Sequence, residues 1–88
     1  MAHCPYERLA DLHEVLDEVR SWEQVQERSP GVFYLRRTPF LHFPVDKTDR
    51  RWADVRSGAS WGSEIDIPFG ASASVRRAFS KQVRERYL

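Results

Sequence analysis

Gly31-Val32-Phe33-Tyr34-Leu35-Arg36-Arg37-Thr38-Pro39-Phe40-Leu41-His42-Phe43-Pro44-Val45 sets the architecture of this chain. Its aromatic and β-branched residues recur at every second position, the period of a strand with one buried side. Arg37-Thr38-Pro39 interrupts the run and reads as a short hairpin loop between strands at 32–36 and 40–45. Pro44 has no ladder donor, which places that strand end at an edge or a bulge. Downstream, Trp52 to Arg56 alternates as a third strand. A Gly-containing turn over 57–63 follows, and then a fourth strand from Glu64 to Phe69.

Working outward, Ser29-Pro30-Gly31 is a stop and a turn. Before it, Tyr6, Leu9, Leu12, Leu16 and Val19 recur at spacings of three and four, one face of a helix that Pro5 opens. Acidic residues fill its other face, so a helix is expected over about 5–27. Trp22 and Val25 either extend the stripe or begin a short edge strand. After the strands, Ser72 or Ser74 caps a closing helix whose stripe is Val75, Ala78, Phe79, Val83 and Tyr87. The expected fold is α+β in one domain, residues 1–88: helix, three- to four-stranded antiparallel meander, helix, with both helices on one face of the sheet.

Eighty-eight residues, 41% of them apolar and 31% charged, allow one modest core. A lone Cys4 near the chain start excludes an internal disulfide and fits a reducing, cytoplasmic setting. No apolar run approaches the roughly 20 residues of a membrane helix. The cations are nearly all Arg, with Lys only at 47 and 81, a usage that fits a GC-rich bacterial source. Net charge is only +1, against a protein built mainly to coat nucleic acid. Charge is nonetheless segregated: residues 6–27 carry −5 and residues 73–88 carry +4, so neighbouring helices would attract along their rims.

Alternation also divides the strands into two sides. Phe33, Leu35, Leu41, Phe43, Val45, Ala53, Val55, Ile65, Ile67 and Phe69 form one apolar set that belongs under the helices. Tyr34, Arg36, Phe40, His42, Trp52, Asp54 and Arg56, with Glu64 and Asp66, form the other. Such a mixture of aromatics with Arg and acids is enriched at binding patches. Expected partners are therefore another protein or a second copy of the chain, met through the open sheet face. Nucleic acid met through the basic closing helix is the alternative.

Chemistry is thinly signposted. His42, Asp54 and Asp66 point one way and form an acid–base or metal-binding set only if their strands are neighbours. His3, Cys4 and His13 lack zinc spacing. The serines around Gly58 and Gly70 form no nucleophile elbow, and neither glycine opens a phosphate loop. A non-enzymatic protein without metal or cofactor is the resulting expectation.

Gly31-Val32-Phe33-Tyr34-Leu35-Arg36, Pro39-Phe40-Leu41-His42-Phe43, Arg51-Trp52-Ala53-Asp54-Val55 and Ile67-Pro68-Phe69 together resemble a group of small bacterial proteins of uncharacterised activity. More distantly, an acidic first helix, an antiparallel sheet with a central Trp and a closing helix is similar to frataxin. That likeness implies iron binding on the first helix and a sheet face that meets iron–sulfur assembly proteins, with Glu14, Asp17, Glu18 and Trp52 of interest. The basic closing helix, the positive net charge and the smaller number of strands depart from the frataxin pattern.

Overall fold

In a computed structural model that describes residues 2–88, two helices and antiparallel sheets form an α+β fold. A short strand β1 (Ala2–His3) precedes a 3-10 helix (Tyr6–Leu12), which runs into α1 (His13–Ser21). Strands β2 (Val25–Ser29), β3 (Val32–Leu35), β4 (Thr38–His42), β5 (Pro44–Val45), β6 (Trp52–Ser57), β7 (Ser60–Trp61) and β8 (Ile65–Asp66) follow. Helix α2 (Ala73–Tyr87) closes the chain, with the Ser72 hydroxyl accepting from the Val75 amide. The main sheet runs β2-β3-β4-β6-β7, with β8 also on β6, and β1 pairs separately with β5. It is thus larger than a three- to four-stranded meander.

The expected helix over 5–27 is divided. Its first two turns are 3-10, where residues three apart eclipse, and Leu9 and Leu12 keep the buried stripe at that spacing. α1 stops at Trp22, whose backbone is extended, and Gln24 follows at φ +65°. Residues 25–29 favour helix by composition, yet they pair with β3 as an edge strand. Tertiary pairing overrides local preference there. Arg20 binds this strand back to α1, its Nε and Nη2 donating to the two Glu27 carboxylate oxygens at 2.6 and 3.0 Å.

Hairpin chemistry sets the register. Pro30 and Gly31 link β2 to β3, with Gly31 at φ +77°. A Cβ on Gly31 would also lie 2.6 Å from Leu9 Cδ1, so a side chain has no room there. Between β3 and β4 the two central residues are Arg36 and Arg37, at φ +50° and +72°. Such turns normally take Asn-Gly, because a Cβ in the left-handed region costs about 1–2 kcal/mol per residue. The chain places two arginines there instead.

Phe33, Leu41 and Val55 are cross-strand partners and therefore share a side. They join Leu9, Leu12, Val15, Leu16 and Val19 from the first helical segment and Phe79 and Val83 from α2 in one core. Phe43 meets Phe79 there, ring centroids 5.9 Å apart. Leu35, Val45, Ile65 and Phe69 are only partly buried at its margin, while Val75 and Ala78 face solvent. Cys4 is fully buried in this core, its amide donating to the Phe43 carbonyl, and burial raises its thiol pKa.

One charged side chain lies inside. Arg51 has a fully buried guanidinium that grips Asp11 through Nη1 at 2.8 Å and Nη2 at 2.7 Å. It also donates to the carbonyls of Ile67, Pro68 and Arg8 at 2.7, 2.8 and 3.1 Å. A single residue, immediately before β6, thereby ties the start of that strand to the 3-10 helix and to the segment after β8.

Candidate functional site

The sheet side opposite the core is built by the residues between its buried ones. His42 and Asp54 are direct partners on β4 and β6, with Nε2 3.0 Å from the Asp54 carboxylate. Across β6, Arg56 pairs with Trp61 and holds its guanidinium 4.7 Å over that ring. The Trp61 and His42 rings lie 5.0 Å apart, and His3 from β1 stacks on His42 at 6.5 Å. His3, His42, Trp61 and Arg56 thus form one continuous row, whose indole is 40% exposed. Tyr34, half-buried on β3, carries the Arg28 guanidinium 4.2 Å above its ring. Cation–π contacts of this kind are worth about 0.5–1 kcal/mol at exposed positions.

Two of the seven residues expected on this face are not exposed. Phe40 is 2% exposed because the register shifts by one residue in β4. Tyr34 pairs with Pro39 but Phe33 with Leu41, so Phe40 is the extra residue of a β-bulge, packed in the core beside Leu41. Strict alternation fails at such a bulge. Trp52 is 5% exposed although it sits on the His42 side, opposite Asp66. Arg50, held by Asp66 and Glu64 at 2.7 and 3.0 Å, lays its guanidinium 4.5 Å over the indole and covers it. The Trp52 Nε1–H is buried without an acceptor.

Tyr34, His42, Asp54 and Arg56 are half-buried, and Arg36 is exposed in its turn. Sequence reasoning missed Trp61, His3 and Arg50. Residues 57–63 read as a turn, but only Gly58 and Ala59 turn, and Ser60 already pairs back onto Ser57. Gly58 at φ +69° before a short return was the available signal for a tight hairpin.

His42 is held mainly by desolvation. Burial pushes its pKa below the ordinary histidine value, the Asp54 carboxylate opposes this, and His3 adds to it. The neutral ring donates Nε2–H to Asp54. Because the folded pKa is depressed, the stability linked to this residue is complete above the unfolded histidine pKa. It is lost as pH falls through the folded one. Titration of the His42 Cε1–H resonance should give a midpoint below that of free histidine; a higher midpoint would show that Asp54 prevails over burial.

The acids singled out by the frataxin likeness lie apart from this row. Glu14, Asp17 and Glu18 are exposed on α1, and Asp17 pairs with Arg20 at 2.7 Å. Glu14 and Glu18 border a groove of about 470 Å³ whose other wall carries Arg76 and Arg77. Among the described residues no ion pair closes that groove, and no three His, Cys, Asp or Glu side chains converge to hold a metal.

No protein-family model, curated protein or solved structure matches the chain. No helix among the described residues is long and apolar enough to cross a membrane.

Proposed function

We propose that the chain is a non-enzymatic binding module that meets a protein partner through the sheet face opposite its core, with both helices gathered on the core side. The observation that carries this reading is the row His3–His42–Trp61–Arg56, whose indole is 40% exposed. Large rings flanked by guanidinium groups supply most of the energy at protein interfaces. The acids of this face are already engaged, Asp54 with His42 and Asp66 and Glu64 with Arg50. Arg28 and Arg56 have no carboxylate partner among the described residues. A fitting partner therefore offers carboxylates around an aromatic or aliphatic anchor; a second copy qualifies through its own unpaired acids on α1.

Trp61 is the residue to change, because it is exposed and its loss leaves the core intact. Trp61→Ala should weaken partner capture, or self-association measured by sedimentation, by about tenfold or more, the effect of a hot-spot aromatic. A chain that stays monomeric at high concentration and captures nothing that Trp61→Ala releases would overturn the reading.

A second reading rests on α2, where Arg77, Lys81 and Arg84 are exposed and have no ion pair among the described residues. Nucleic acid bound there would show as duplex binding that falls steeply with salt. Absence of binding at low salt removes this alternative.

A further inference from the structure

At one end of the sheet, the β3–β4 turn, the β6–β7 turn and the last turn of α2 enclose a groove of about 290 Å³. Three guanidinium groups border it, those of Arg36, Arg56 and Arg86, beside the partly buried Leu35 and Tyr87. None of the three arginines pairs with a carboxylate among the described residues. Leu88 also borders the groove.

Each cation is instead held by neutral oxygens. Arg56 donates Nε–H to the Pro39 carbonyl at 2.6 Å and Nη1–H to the Ala59 carbonyl at 3.1 Å. Arg86 donates Nη1–H to the Val55 carbonyl at 3.1 Å, and Arg36 donates Nε–H to the Gln24 side-chain oxygen. A guanidinium has five N–H donors, so most of them stay unused in all three. Gly62 makes the seat for Arg86: a Cβ there would lie 2.2 Å from its Nη1. Arg36 and Arg37, moreover, occupy the left-handed turn positions that Asn-Gly would fill without strain. Strained backbone of this kind collects at ligand-binding positions.

We propose that this groove is a binding site for a small organic anion, a carboxylate or phosphate carried on an apolar group. Oriented guanidinium forks match the oxygens of both anions. Leu35 and Tyr87 supply the surface for the apolar part, and the groove volume, at the low end for small-molecule pockets, limits the ligand to about one ring. The site adjoins the face assigned to a protein partner and shares Arg56 with it, although Trp61 itself does not border the groove.

Calorimetric titration of the full chain at low salt with phenyl phosphate and with benzoate tests the site. Saturable binding of either one is expected, and which binds tighter separates phosphate from carboxylate as the natural group. Arg86→Gln should weaken binding about tenfold or more. Arg36→Asn/Arg37→Gly should weaken it too while raising the melting temperature, a combination that simple misfolding cannot produce. No saturable binding by the native chain, or equal binding by Arg86→Gln and by the turn variant, overturns the proposal. So does benzyl alcohol binding as tightly as benzoate, because the anion would then be irrelevant. Inorganic phosphate binding as tightly as phenyl phosphate overturns the role of the apolar wall.

Discussion

Arg51→Met should destabilise the protein by about 3–5 kcal/mol, the cost of leaving one partner of a buried ion pair unpaired. For a domain of this size that is a fall in melting temperature of about 12 °C or more. The replacement fills comparable volume, so the loss reports on polar groups. The Asp11 carboxylate loses both Nη donors and keeps only the 3.3 Å contact from the Ala71 amide. The carbonyls of Arg8, Ile67 and Pro68 lose theirs as well. Asp11→Leu in the same background removes the stranded charge and should recover part of the loss, but the three carbonyls stay unpaired. A double variant as stable as the native chain would show that those carbonyls find water, and that Arg51 serves Asp11 alone.

Acid sharpens the same experiment. Hydrogen bonds from Arg51 hold the Asp11 carboxyl below the usual carboxylate range, against the opposing effect of burial. With the folded pKa depressed, the pair's contribution is complete above the unfolded carboxylate pKa and disappears as pH falls through the folded one. In Arg51→Met burial acts without its main opponent, countered still by the Ala71 amide, so the acid-side loss of stability should begin at higher pH than in the native chain. Urea unfolding at a series of pH values would read this directly.

Trp52→Ala is the second large effect, again about 3–5 kcal/mol, because it empties the space of a ring that is 5% exposed. It also strips Arg50 of the surface on which it lies. Trp52→Phe should behave differently. The indole N–H has no acceptor, and such an unsatisfied buried donor costs about 1–3 kcal/mol. Phenylalanine removes that penalty while keeping most of the ring, so its net change should stay within about 1 kcal/mol. Equal losses for Phe and Ala would mean that the N–H is satisfied in solution, by water or by a shift of the chain.

Local chemistry explains what could be read in advance. Pro30-Gly31, the alternation through Phe33 and Leu41, and the Ser72 cap of α2 act over a few residues and are visible in the sequence. The bulge at Phe40 is not, because Arg37-Thr38-Pro39 looks like a loop whether or not the following strand carries an extra residue. A buried Arg51 has no local signal either: its partner Asp11 lies 40 positions away, on a helical segment whose other acids face water. Strand β2 is legible only as an alternative, an edge strand beginning near Val25, since Glu and Gln favour helix until β3 offers a ladder. Of the expected face, His42 with Asp54 follows from period and strand order together. Trp52 and Phe40 depart from it because Arg50 and the bulge respond to three-dimensional neighbours.

How the main sheet ends also bears on the chain's behaviour at high concentration. On one margin lies β2, five residues bearing Glu27 and Arg28; on the other, β6 is shared by two-residue strands β7 and β8. Between those two, the Val55 carbonyl is capped by the Gly62 amide and by Arg86. Neither margin offers the long, uncharged template on which fibrils grow. Association of this protein should therefore stop at discrete complexes and not run on into polymer.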